Sequence, residues 1–260
     1  MSTWTPGGGT RVHARLLRPA GRSTRPPYVM LHGLGVSAAS LGPLAERLAD
    51  GATTLVCDLP GFGLTHADEV WRTSAIADAM LQVLERRGLG RVTLVGHSWG
   101  CHVAAMVAAR DPARVGALVM LSPAFDRRIG GAFGQILRLG ADAPMERPAL
   151  VAGGVRDYLR AGPMRVLSTL REAAGIPLDD LVARVQAPVL IVRGGRDPLT
   201  TGRWARRLAA RALEARIAVV PRAAHGLGHD APRAVAGAIE AFLDGGGHHP
   251  RMAAGPRDGP

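Results

Sequence analysis

Six short runs, most of them apolar throughout, are spread along the chain at 27–31 (PYVML), 53–57 (TTLVC), 91–95 (RVTLV), 115–121 (VGALVML), 188–192 (PVLIV) and 216–220 (RIAVV). A strand with one wet face alternates apolar and polar residues, whereas a strand covered on both faces need not. These runs therefore predict parallel strands buried under helices. The stretches between them supply the cover, with helical patterns at 41–49, 74–87, 99–110, 201–213 and 231–243. Asp230 stands where it can cap the last of these, with Pro232 in its first turn. Strand–helix alternation of this kind predicts an α/β fold around a parallel sheet. Residues 10–18 (TRVHARLLR) add an early antiparallel strand.

The alternation stops once. Between Pro123 and Ala187 no strand is predicted, only helical stretches near 129–139, 148–160, 163–173 and 178–185, separated by Gly, Pro and Asp. This reads as a helical insertion between two strands of the sheet. From Gly245 the chain runs GGGHHPRMAAGPRDGP, with almost nothing to bury, so disorder is expected, and His248 and His249 read as a solvated pair. The organisation expected is a core at 1–122 and 188–244, an insertion at 123–187 and a tail at 245–260.

Composition removes several classes of function. A chain of 260 residues fits one large domain or a core with an insertion. No apolar run reaches the roughly 18 to 20 residues that span a bilayer. MSTWTPGGGT lacks a basic start followed by an apolar segment, so no signal peptide is read and a cytoplasmic location is expected. The two cysteines, Cys57 and Cys101, read as free thiols. The net charge of +11 raises the question of nucleic acid. However, the basic residues are all arginines scattered over the whole length, and aromatic residues, at 4%, offer few stacking platforms. The partner expected is a small molecule, with no nucleic acid and no membrane; monomer and homodimer both stay open.

The chemistry lies in VTLVGHSWGCHV, residues 92–103, where Ser98 sits between Gly96 and Gly100 as a strand hands over to an alanine-rich helix. A serine hydroxyl is a poor nucleophile until a base stands beside it and a sharp turn exposes it. The turn crowds its flanks, which must be small. The helix that follows aims its free N–H groups and the positive end of its dipole at the serine. Upstream, Leu31-His32-Gly33-Leu34-Gly35 follows another strand and can bring a second N–H to the same place. Acyl transfer builds negative charge on a carbonyl oxygen, and two such donors stabilise it; they are assigned to the backbones of Leu34 and Trp99. His32, Gly33 and His97 are candidates for substrate contact, His32 having first claim as a structural hydrogen-bonding residue. Downstream, Asp197 follows a strand and a Gly-Gly turn, and His225 follows the next strand. The order Ser98, Asp197, His225 suits a nucleophile, an orienting acid and a general base. His229 competes with His225 as the base, and Asp126 competes with Asp197 as the acid.

Taken together, HGLG at 32–35, DLPGFG at 58–63, GHSWG at 96–100, GGRDP at 194–198 and AAH at 223–225 resemble the α/β-hydrolase superfamily, in its branch of cap-bearing, esterase-like serine hydrolases. The resemblance covers about residues 10–244. It implies an α/β fold with a mostly parallel sheet of about eight strands, helices on both faces and a helical cap at 123–187. It also implies a structural role for Asp58. In the family a proline commonly follows the catalytic histidine by about seven positions, which favours His225, with Pro232, over His229. A serine nucleophile disfavours the epoxide hydrolase and dehalogenase branches. What remains is hydrolysis of a carboxylic ester of a small or medium acyl group, with thioesters and lactones open and no metal or organic cofactor. Carbon–carbon bond hydrolases, proline iminopeptidases, perhydrolases and biosynthetic acyltransferases or cyclases use the same triad and are the alternatives; a non-enzymatic binding protein on this fold ranks last. Arg127, Arg128, Arg138, Arg156, Arg160 and Arg165 are candidates to hold a substrate carboxylate.

Overall fold

In a computed structural model that describes residues 1–128 and 131–245, the strands are β1 (Ser2–Gly7), β2 (Thr10–Leu17), β3 (Tyr28–Leu31), β4 (Thr54–Cys57), β5 (Val92–His97), β6 (Val115–Leu121), β7 (Val189–Gly194) and β8 (Ala215–Val220). The helices are α1 (Gly42–Ala49), α2 (Thr73–Arg86), α3 (Gly100–Arg110), α4 (Gly131–Asp142), α5 (Pro148–Ala161), α6 (Pro163–Gly175), α7 (Leu178–Val182), α8 (Gly202–Arg211), α9 (Leu227–Asp230) and α10 (Pro232–Asp244). The eight strands make one sheet in the order β1-β2-β4-β3-β5-β6-β7-β8. The β1–β2 and β2–β4 pairs are antiparallel, and all the rest are parallel.

The apolar runs are explained by cover on both faces. In β6, Leu118 and Met120 join one apolar layer with α2, α3, α7 and α8, while Val119 and Leu121 join the other with α1 and α10. Each such side chain stabilises the fold by about 1.5–3 kcal/mol when fully buried. Among the described residues, no helix is long and apolar enough to cross a membrane.

The chain order sets the position of the site. From β3 the chain moves outward to β4, then returns across β3 to β5, so the crevice opens beyond the C-terminal ends of β3 and β5. Leu31 pairs with Gly96, which puts the loops after β3 and β5 side by side.

Three features differ from the sequence reading. Residues 2–7 form an edge strand, β1, although they include Pro6; at an edge, a missing N–H costs no ladder bond. Ala231, not Asp230, holds the N-cap position of α10, and Pro232 begins that helix without a side-chain cap. Asp230 instead closes the short helix α9. Between β6 and β7 the chain forms α4 to α7, with α7 shorter than its predicted span of 178–185. The tail expectation, including His248 and His249, falls on residues 246–260 and lies outside the described residues.

Candidate active site

Ser98 has φ +52°, a left-handed conformation that a non-glycine residue adopts only at a cost. It is held there at both ends. Its N–H donates to Leu121 O at 2.9 Å, and its carbonyl accepts from Cys101 N at 3.1 Å. The glycines on either side are sterically required. A Cβ on Gly96 would strike the backbone of Gly100 and Cys101, and one on Gly100 would strike the carbonyls of Leu31 and His32.

Ser98 Oγ lies 2.9 Å from His225 Nε2, and His225 Nδ1 lies 3.0 Å from Asp197 Oδ2. The other oxygen of Asp197 accepts from Leu199 N at 2.8 Å and Thr200 N at 3.0 Å. Burial opposes the Asp197 charge, but the neighbouring His225 and these N–H donors outweigh it and hold the carboxyl well below its usual range. Burial likewise works against a charged His225, yet the Asp197 carboxylate prevails and raises the imidazole above its ordinary value. The ring is therefore a stronger base than free histidine and is bonded to the hydroxyl it would deprotonate.

The other candidates separate clearly. His229 turns to Asp230 Oδ1 at 2.8 Å, not to Ser98. Asp126 forms an ion pair with Arg207 and accepts from Arg128 N at 3.1 Å, away from the histidine. Gly33 packs directly against His97 and Ser98. His32 is fully buried with both ring nitrogens in use, Nδ1 donating to Gly33 O at 2.7 Å and Nε2 accepting from Leu59 N at 3.0 Å, so it has no group left for a substrate. Burial depresses its pKa and keeps it neutral. His97 donates from Nε2 to the His225 carbonyl at 3.0 Å. Burial first, and His225 beside it, depress its pKa to about 4, so the ring is neutral. Its Nδ1 is buried and has no partner among the described residues.

The backbone N–H groups of Leu34 and Trp99 donate to no protein acceptor among the described residues. The Trp99 side chain is a core anchor: it lies against Phe62, and its Nε1 donates to Thr73 Oγ1 at 3.2 Å. Thr73 Oγ1 in turn donates to Glu172 of α6 at 2.6 Å. Asp58 accepts from Ala38 N and Leu64 N and meets His13 Nδ1, which ties the 58–63 turn together. Cys57 and Cys101 are buried free thiols; burial pushes Cys57 up to about 12 and Cys101 well above its ordinary value, so both stay protonated.

The arginine candidates are spread apart. Arg138 donates to Pro198 O at 2.7 Å, and Arg165 donates to the carbonyls of Glu69 and Ala67. Arg156 pairs with Asp157 at 3.4 Å, and Arg127, Arg128 and Arg160 are exposed. Sequence reasoning missed two carboxylates next to the histidine. Asp142 Oδ1 accepts from His225 N at 3.0 Å, and Glu146 Oε1 accepts from Gly226 N at 2.5 Å. In the sequence both are ordinary charged residues between the predicted helical stretches 129–139 and 148–160, with no pattern to set them apart.

A sharp strand–helix turn bearing a serine, at the C-terminal edge of a mostly parallel eight-stranded sheet, defines an α/β-hydrolase fold. The alpha/beta hydrolase family model matches residues 28–238, and the chain belongs to that family. It is 30% identical over 230 residues to a pimeloyl-[acyl-carrier protein] methyl ester esterase of Chromobacterium violaceum, covering 77% of this chain and 87% of that protein. It is 26% identical over 236 residues to esterase YbfF of Escherichia coli, covering 84% and 93%. Among solved structures, the enol-lactonase of Burkholderia xenovorans superposes with TM-score 0.80 at 20% identity, over 93% of this chain and all of that one.

Proposed function

We propose that the protein is a serine hydrolase that cleaves carboxylic esters of small to medium acyl groups, thioesters and lactones included, through an acyl-enzyme on Ser98. The observation that carries this reading is the continuous line Asp197–His225–Ser98, with both links at hydrogen-bond distance and the serine on a strained turn. The names of the relatives, two esterases and, by fold, a lactonase, support the same chemistry.

His225 Nε2 takes the Ser98 proton as Oγ bonds to the acyl carbon, and the carbonyl π pair moves onto oxygen. The N–H groups of Leu34 and Trp99 receive that oxyanion. As the oxyanion collapses, the bond to the leaving oxygen or sulfur breaks, and Nε2–H supplies its proton. A water then gives a proton to His225, attacks the acyl carbon and releases the acid, while the proton returns to Ser98 Oγ. Asp197 remains ionised throughout, fixing the tautomer and balancing the imidazolium. Side chains, backbone donors and water account for every step. Residues 123–187 act as a cap over a core formed by 1–122 and 188–244, and shape the acyl pocket.

Intact-protein mass spectrometry after incubation with a fluorophosphonate tests the reading. One phosphonyl adduct is expected on the wild type and none on Ser98→Ala. A folded wild type that takes no adduct rules out an activated Ser98.

A further inference from the structure

Both main-chain groups of His225 are engaged by side chains, not by other backbone groups. Its N–H donates to Asp142 at 3.0 Å, and its carbonyl accepts from His97 at 3.0 Å. The next N–H, that of Gly226, donates to Glu146 at 2.5 Å. Ser98 and Asp197 touch only the imidazole ring. They set its tautomer and aim, but the peptide that carries the ring is placed by other residues. A buried backbone group needs a partner, and here those partners come from the turn at Ser98 and from the helical insertion.

The insertion is shaped around this contact. Asp142 ends α4 and is 2% exposed. Arg138, one turn earlier, donates to Pro198 O beside Asp197. One face of α4 thus meets both the acid's loop and the histidine's. Glu146 follows the turn after α4. Burial, with the Asp230 and Asp142 carboxylates close by, pushes its carboxyl up to about 9, so at neutral pH it keeps its proton. Asp230 in turn accepts from Arg147 N at 3.1 Å and meets His229. A buried carboxylate costs free energy unless its hydrogen bonds are met, so core formation alone does not explain Asp142.

We propose that Asp142 and Glu146 of the insertion, with His97, are positioning residues for His225, so that the base is competent only when the insertion is seated. This rests on the reading of His225 as the general base. A displacement of about 1 Å at a reacting group can cost on the order of a hundred-fold in rate, so three contacts on the two peptide units that flank the His225 Cα matter.

The test is the second-order rate at which a fluorophosphonate labels Ser98 in the full chain, with a melting curve for each variant. Asp142→Ala should slow labelling by about ten-fold or more. Asp142→Asn should label several-fold faster than Asp142→Ala, because its amide oxygen still accepts from the His225 N–H. If Asp142→Ala does not fold, Asp142→Glu replaces it. That variant keeps the charge but moves the acceptor by one methylene, and it should be slower than Asp142→Asn. Labelling of Asp142→Ala at the wild-type rate, or of Asp142→Asn as slowly as the displaced variants, overturns the inference and leaves the hydrolase reading standing. A wild type that takes no label overturns both.

Discussion

Helices α3 and α4 hold opposite relations to the protein. In α3, eight of eleven residues are buried, including Val103, Ala104, Ala105, Val107 and Ala108. In α4, the buried residues are Gln135 and Asp142, while Phe133, Ile136, Leu137 and Leu139 are exposed. The sheet holds its helices by apolar burial. Helices α4 and α5 bury polar side chains instead: Asp142, with Arg138 one turn earlier, from α4, and Asp157 of α5, which accepts from Ser37 Oγ at 2.5 Å. Apolar packing holds the chain on either side of these two helices: Ala124 and Phe125 before α4, and Val166, Ala173, Leu178 and Val182 from α6 onward, enter the core. The sheet with α3 and the helix α4 thus differ in what holds them, and changes to each should read out differently.

The largest effect belongs to the sheet. Leu118→Ala in β6 removes a fully buried side chain and should cost about 2–5 kcal/mol in chemical denaturation. A loss no greater than that of a surface change would erase the contrast.

An intermediate effect is expected at Glu146. Its folded value of about 9 stands above the ordinary 4.5. Between those values the unfolded chain releases the proton and the folded chain keeps it, so rising pH favours unfolding. Glu146→Gln keeps an acceptor for the Gly226 N–H and has no proton to release. Its Tm should fall less than that of the wild type across this window, with the largest advantage at the alkaline end. Parallel Tm curves for the two proteins would remove this assignment.

The smallest effect is expected on the outer face of α4. Leu137→Ser, at a residue 59% exposed, should change stability by no more than about 0.5 kcal/mol. A loss comparable to Leu118→Ala would mean that the outer face is covered in solution.

The sequence was most legible where structure follows from near neighbours. The runs at 115–121 and 188–192 recur as β6 and β7 because short, continuously apolar runs rich in Val and Ile suit strands covered on both faces. The turn at Ser98 was readable in part because Gly96 is crowded by Gly100 and Cys101, within five residues, whereas Gly100 is crowded by Leu31 and His32, which only the fold brings there. Residues 2–7 were not readable as a strand, because β1 owes its existence to pairing with β2 along Ser2↔Arg15 through Gly7↔Thr10 rather than to its own composition. Asp230 has a good capping side chain at the right place, yet the α9 turn and the Arg147 contact compete for it.

By itself the sequence determined the six buried strands from β3 to β8, the stretch without strands between β6 and β7, and the serine between its two glycines. Each of these depends on local periodicity or local sterics. Only the tertiary structure decided that Ser98 meets His225, 127 positions away, while His229 turns to its neighbour. Only it brought Asp142, 83 positions from His225, to that residue's backbone. Hydrogen bonds between distant residues exist only once the sheet has closed and aligned its loops. A carboxylate on a helix looks the same in sequence whether it faces water or a buried peptide.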